Sequence, residues 1–200
     1  MRIEGASDAK LGRFTRLLLW IGRRETTKLT GRKTTTRMIE PAQAYATTPG
    51  LLVGYGIFEG AVARAHRVDE RLKVLAELKA AALTQCEWCI DIGSPIAYRA
   101  GVSEAQLLAL AHYSDSDEFN ELEKLVLDLA VGVSSTPVSV SDELFSALRE
   151  HLDDAQLVEL TNVIALENMR GRFNLALGIG SAGFSEGMVC VVPETVPAAA

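Results

Sequence analysis

The sequence predicts an all-α domain with no significant sheet, and three observations predict it. Hydrophobic residues make up 48% of the chain while aromatics supply only 6%, and much of the remainder is Ala and Leu, which favour helices. Apolar residues recur at three- and four-residue spacing in one segment after another. Cap residues and glycines punctuate those segments where helices would start and stop. A length of 200 residues fits a single domain. A mean hydropathy of +0.14 provides the apolar surface for a core and excludes a disordered chain.

The elements follow in order. Leu17, Leu18, Leu19, Trp20 and Ile21 sit among Arg13, Arg16, Arg23 and Arg24, the pattern of an amphipathic helix. That apolar run is too short for a signal-peptide core or a membrane span. Residues 26–36 are rich in threonine around Gly31 and predict an irregular segment. Residues 41–58 carry no charge, yet Gln43, Thr47, Thr48, Pro49 and three glycines exclude a transmembrane helix. Pro49-Gly50 marks a turn, and Leu52, Tyr55, Phe58 and Val62 give a first core helix over residues 51–65.

Asp69 caps a second helix through Leu72, Leu75, Leu78 and Ala82. Thr84 and Glu87 form a T-x-x-E capping box, which predicts a fresh helix start at the cysteines. That helix ends at Gly101, with Arg99 in its last turn. Within it Pro95 either frees the Asp91 carbonyl and bends the axis, or restarts the helix with Ser94 as N-cap. Ser103 caps the next helix, through Leu107, Leu108 and Leu110. A loop at residues 115–117, a helix over 121–133 and an extended linker with an N-cap at 138–142 follow. Helices over 142–151 and 155–177 complete the set, after which Gly178, Gly180, Gly183 and Gly187 break regular structure and residues 191–200 form a loose tail.

Charge is unevenly spread. The net charge of −6 weakens any case for a nucleic-acid partner. Residues 1–40 carry ten basic and four acidic side chains, a net +6, which leaves −12 on the other 160. The basic segment reads as an arm against an acidic body or neighbouring subunit, or as a surface-seeking amphipathic helix. Packing on its own protein is the favoured reading, because soluble helices show the same pattern. The organisation is therefore a basic N-terminal helix or extension at 1–40, an all-α domain at 41–187 and a tail at 188–200. The lack of a targeting signal points to the cytoplasm.

Cys86-Glu87-Trp88-Cys89 is a C-x-x-C motif at the predicted start of a helix. Unpaired N–H groups and the macrodipole there favour a thiolate over a thiol. Three-residue spacing puts both sulfurs on one face, near enough to close a disulfide after modest adjustment. A low-pKa thiol beside a resolving thiol suits peroxide reduction or dithiol–disulfide exchange. Buried inert cysteines are the main alternative. A zinc site is the weakest, since His66, His112 and His151 are scattered singly and no second C-x-x-C exists. No cofactor is called for. Cys190 reads as an incidental thiol.

Residues 71–89 around this motif, continuing to Ala100-Gly101-Val102-Ser103, resemble the carboxymuconolactone decarboxylase / alkylhydroperoxidase D-like family. Val140-Ser141-Asp142-Glu143-Leu144, Gln156-Leu157-Val158-Glu159-Leu160 and Arg172-Phe173-Asn174 are similar to its C-terminal helices. The resemblance covers about residues 45–185. It implies an alkylhydroperoxidase D-like helical bundle, a homo-oligomer (trimer or hexamer) and a thiol peroxidase-like activity. It also implies that Cys89 is attacked by peroxide and Cys86 resolves it, whereas the dipole argument alone favours Cys86 as the more acidic thiol.

The departures matter equally. The family's peroxidases carry a proton-relaying glutamate twelve residues before the first cysteine and a histidine four after the second. Here those positions hold Val74 and Gly93, and neither can transfer a proton. Glu77 lies one turn beyond Val74 on the same face and is the candidate substitute; Asp91 and Tyr98 are weaker ones. Gly93 leaves a gap for substrate or for a closely packed helix.

The leading expectation is a dithiol oxidoreductase that reduces a hydroperoxide or a partner disulfide through Cys89, Cys86 and Glu77 and is recycled by an external dithiol reductant. A redox-sensing binding member is the alternative, and a decarboxylase using Arg64, His66 and Arg67 ranks lowest.

Overall fold

The computed structural model describes residues 2–6, 11–32 and 41–194. Among them are nine α-helices and one 3-10 stretch, with no strand. The helices are α1 (Arg13–Thr30), α2 (Pro41–Tyr45), α3 (Pro49–Val62), α4 (Glu70–Thr84), α5 (Glu87–Arg99), α6 (Glu104–Ala109), α7 (Glu121–Ser134), α8 (Asp142–Arg149) and α9 (Asp154–Leu177). The 3-10 stretch, Leu110–Asp115, follows α6 directly.

Helix α4 is the hub, packed against α5, α7 and α9. Its sequence permits this: Val74, Leu75, Ala76, Leu78, Ala80, Ala81 and Ala82 are all buried, so the helix is covered nearly all round and alanines let neighbours approach closely. One core cluster joins α4 to α5, the 3-10 stretch and residues 179–191, and it contains both Cys86 and Cys89. A second joins α4 to α7, α8 and α9. A small third cluster, around Leu19, Ala46 and Leu52, ties α1 and α3 together.

The capping signals act largely as expected. Asp69 accepts from the Arg71 N–H, and Ser103 forms a capping box with Gln106. Asn120 with Glu123 and Asp153 with Gln156 do the same for α7 and α9, and Ser141 caps α8. Such caps satisfy backbone donors that have no intrahelical partner.

Four expectations are corrected. Residues 26–30 are helical, because the Thr27 and Thr30 hydroxyls donate back to the carbonyls of Arg23 (2.9 Å) and Thr26 (2.8 Å); Gly31, at φ +71°, ends the helix. Residues 33–36 of that segment lie outside the described residues. The Thr84–Glu87 capping box does not form. Thr84 closes α4 instead, its hydroxyl donating to the Ala80 carbonyl at 2.9 Å. Helix α5 runs unbroken through Pro95, with the Ser94 hydroxyl bonded to the Ile90 carbonyl (2.7 Å) rather than capping a new helix. Residues 191–194 are not loose: Val191 is buried, the Glu194 N–H donates to the Ala82 carbonyl, and the Glu194 carboxylate pairs with buried Lys79 at 2.5 Å. Residues 195–200 lie outside the described residues.

Asp91, on α5, pins the segment after α9. Its carboxylate accepts from the backbone N–H groups of Ala182, Gly183, Phe184 and Ser185 and from the Ser185 hydroxyl, at 2.6–3.1 Å. Burial opposes its charge, but the donors from Ser185, Ala182 and Phe184 outweigh it and hold its pKa below the usual value. A group with a lowered folded pKa adds stability that is present above its unfolded pKa and lost as pH falls through the folded one. Asp91→Ala should therefore cost about 3 kcal/mol near neutral pH, as expected for stranding several buried donors. The penalty should shrink in acid below about pH 4, as read by denaturant unfolding at several pH values.

Candidate active site

The site forms where α4 ends and α5 begins. Gln85, at φ +57°, terminates α4 in the left-handed region, which disfavours a side chain with a Cβ. The chain thereby turns sharply and leaves Cys86 as the N-cap of α5. The Cys86 Sγ itself accepts the Cys89 N–H at 3.3 Å, so a sulfur does the work usually given to Ser or Asp. Cys86 and Cys89 are joined as a disulfide, with Cα atoms 5.2 Å apart. Both cysteines are buried, Cys86 fully and Cys89 to within 5%.

Helix α9 lies across this pair. At Gly171 an added Cβ would stand 2.6 Å from the Thr84 hydroxyl and 3.4 Å from the Cys86 Cβ, so only glycine admits the approach. One turn on, the Asn174 amide nitrogen lies 3.5 Å from Cys86 Sγ and 3.7 Å from Cys89 Sγ. Asn174 is 2% exposed, and its Oδ1 has no hydrogen-bond partner among the described residues.

One turn back, Arg170 gathers three carboxylates. It bonds Glu59 of α3 through two nitrogens, at 2.5 and 2.8 Å. It also bonds Glu77 of α4 at 3.1 Å and Glu167 of α9 at 2.9 Å. Burial, and then the neighbouring Glu167 charge, push the Glu77 pKa up to about 7 against the attraction of Arg170. Burial raises Glu167 as well. One guanidinium cannot neutralise three carboxylates, so the group retains a proton near neutral pH. A stack of rings, Tyr55 on Tyr45 on Phe173, each pair 4.4 Å apart, joins α3 to α9 beside this group.

The candidates from the sequence fall into place unevenly. Cys86 and Cys89 are brought together. Glu77 is in the polar group on the Asn174 side of α9, but its bond is to Arg170 and not to a sulfur. Asp91 anchors residues 182–185, and the Tyr98 hydroxyl donates to the Val189 carbonyl at 3.4 Å. The space foreseen at Gly93 is filled: a Cβ there would lie 2.8 Å from Leu78 Cδ2. Arg64, His66 and Arg67 line the α3–α4 loop around Glu159, whose carboxylate accepts the Arg67 N–H at 2.9 Å. Cys190 is a free thiol. Among the described residues, no group of three or more His, Cys, Asp or Glu is placed to hold a metal, and no helix is long and apolar enough to cross a membrane.

Sequence reasoning missed Asn174, Arg170, Glu59 and Glu167 as parts of the site. The only signal was the Arg172-Phe173-Asn174 stretch, noted for resemblance and not for chemistry.

The helical bundle that carries the buried C-x-x-C disulfide has an alkylhydroperoxidase D-like fold. Residues 49–131 match the carboxymuconolactone decarboxylase family. The chain is 33% identical over 159 residues to the uncharacterized protein YnjA of Escherichia coli, covering 78% of this chain and 84% of that one. The chain belongs to this family. It is also 28% identical over 112 residues to the uncharacterized protein YdfG of Bacillus subtilis, covering 56% and 76% of the two chains. Its fold is shared with an alkylhydroperoxidase AhpD core, a peroxidase-related protein from Ralstonia eutropha, at a TM-score of 0.73 and 17% identity over 92% of this chain and 93% of that one. The debrominase Bmp8 has the same fold, at a TM-score of 0.72 and 22% identity over 87% and 91%.

The filled space at Gly93 has a measurable consequence. Gly93→His, which installs the family histidine, should destabilise the protein by about 2 kcal/mol through overpacking against Leu78. Leu78→Ala in the same chain should recover part of that loss, as read by thermal unfolding of the single and double variants.

Proposed function

We propose that the protein is a dithiol oxidoreductase that reduces hydroperoxides, with Cys89 attacking, Cys86 resolving and Glu77 supplying a proton. The observation that supports it best is a bonded Cys86–Cys89 pair, deeply placed, of which Cys89 is the less buried member. That geometry favours a small oxidant over a partner protein's disulfide, which needs direct access to sulfur.

In the proposed cycle the Cys89 thiolate attacks the peroxide, the O–O bond breaks, and two electrons pass to the substrate. Cys89 becomes a sulfenic acid. The alkoxide takes a proton from the Glu77 carboxyl, whose pKa burial raises, and leaves as an alcohol. The Cys86 thiolate then displaces hydroxide, which takes a proton and leaves as water, and the disulfide forms. An external dithiol returns two electrons and two protons. This division reconciles the helix-dipole argument with the family order. The N-cap position makes Cys86 the readier thiolate, and a resolving residue needs that as much as an attacking one does.

A homo-oligomer fits the same reading. Phe14, Leu17, Trp20 and Ile21 on α1 and Leu51, Ile57 and Phe58 on α3 face outward in the single chain, where apolar side chains call for a partner.

Two measurements test the proposal. Treating the reduced protein with a hydroperoxide should remove two hydrogens, confined by peptide mass to Cys86 and Cys89. Cys89→Ser should lower peroxide consumption by at least about a hundredfold; consumption at the parent rate would overturn the assignment. Glu77→Gln should slow the single-turnover rate by about tenfold to a hundredfold and remove the falling limb near pH 7 that the raised Glu77 pKa places in the parent. A carboxyl whose folded pKa is raised adds stability that is lost as pH rises through that value. Glu77→Gln should therefore unfold at a higher temperature than the parent at about pH 8 and at nearly the same temperature at about pH 4.

A further inference from the structure

Asn174 faces both reacting sulfurs. Its amide nitrogen stands 3.5 Å from Cys86 Sγ and 3.7 Å from Cys89 Sγ, and it is almost wholly buried. A disulfide sulfur is a poor acceptor, so those N–H groups gain little from the oxidised pair. The Oδ1 gains nothing, since it has no partner among the described residues. A buried carboxamide oxygen left unpaired is costly, and a site with such an atom is incomplete in the state observed.

The reduced pair would give those N–H groups a better acceptor. A thiolate accepts an amide N–H as a charge-assisted hydrogen bond, and the amide nitrogen lies toward both sulfurs. The amide therefore matches a pair that has lost a proton. No cation takes this role. Arg170 sits one turn away with its guanidinium committed to Glu59, Glu77 and Glu167.

We infer that Asn174 is a catalytic residue of the dithiol cycle: its amide N–H groups donate to the reduced Cys86–Cys89 pair and stabilise a thiolate there. This rests on the dithiol reading above and adds to it the group that replaces the family's missing histidine at the sulfurs. No electron passes through Asn174, and its amide neither gains nor loses a proton. It stabilises charge on sulfur in the reduced state and again when Cys86 leaves as the thiolate during re-reduction, the reductant having attacked Cys89.

The test titrates the reduced protein by ultraviolet thiolate absorbance and by alkylation rate, in a Cys190→Ser background that leaves only the pair. In the parent, one thiol should titrate below the ordinary cysteine value of about 8.5. Asn174→Leu, close in size but without donor or acceptor, should cut the thiolate fraction at a fixed acidic pH by about tenfold, the effect of losing one hydrogen bond to a charged group. Asn174→Asp keeps the shape and replaces the donor with a negative charge. It should cut the fraction at least as far, and a purely space-filling role predicts no change in Asn174→Leu, which fills nearly the same volume. A parent pair with no lowered thiol overturns the proposal, as does Asn174→Asp titrating like the parent, and the first needs no variant to fold. Hydroperoxide turnover is measured on the same samples. A parent that consumes no hydroperoxide while the titration shift persists counts against the peroxidase reading and not against Asn174. Parent-like titration in an active enzyme counts against Asn174 alone.

Discussion

The structure depends on one close approach, that of α9 to the α4–α5 junction at Gly171. A single methyl group at this position would collide with the Thr84 hydroxyl and crowd the Cys86 Cβ. Because it is absent, α9 can lie directly on the two cysteines. Everything polar in the site follows from the register this imposes. Asn174, one turn on, meets the sulfurs, and Arg170, the residue before Gly171, meets Glu59 of α3 and Glu77 of α4. Gln85 supplies the other half of the constraint. Its left-handed backbone breaks the chain between α4 and α5 so that a cysteine, not a hydroxyl, sits at the new helix start. A strained residue next to reactive groups commonly persists because surrounding contacts over-determine it. Here the Gln85 side chain is held by the Glu194 carbonyl at 2.7 Å.

The carboxylate group around Arg170 is costly as a structural device. Three half-buried or buried acids share one guanidinium, and burial pushes two of them toward the protonated form. Ordinary packing would replace such a group with apolar side chains at little loss of stability. The group sits one turn of α9 before Asn174, the residue that meets the sulfurs, which is the placement the proposed proton supply draws on. The stacked rings of Tyr45, Tyr55 and Phe173 brace the same region and hold α3 against α9. The outer face of α3 remains apolar and exposed at Leu51, Ile57 and Phe58.

Much of this was legible in the sequence, and the boundary has a physical cause. Helical periodicity, the caps at Asp69 and Ser103 and the C-x-x-C spacing are local features, and local features can be read along a chain. Thr84 misled because its hydroxyl had two nearby uses, closing α4 or opening α5, and only the sharp turn at Gln85 decides between them. Asp91 looked like a weak proton carrier, but its partners lie about ninety residues further on. Asn174 was invisible for the same reason. An Asn deep in a long helix carries no signal until the fold brings two cysteines, some eighty-five residues earlier, under its amide. Lys79 and Glu194 show it again, since a buried lysine turns a presumed loose tail into part of the core.

The missing histidine and the present asparagine are two sides of one packing decision. At Gly93 a Cβ would stand 2.8 Å from the end of the Leu78 side chain, so a side chain there requires Leu78 to shift. The polar side chain that meets the sulfurs instead comes from α9, the helix that Gly171 lets in. A histidine in that position would change charge with pH close to neutrality; a carboxamide does not titrate. On the proposed dithiol cycle, two duties that one imidazole could combine would be divided. Asn174 would donate to sulfur without carrying a proton, while Glu77 would supply one without touching sulfur. Such a division would keep the polarity around the thiols constant while the proton supply varies with pH. It also explains why the family positions at Val74 and Gly93 can be apolar here without leaving the pair chemically bare.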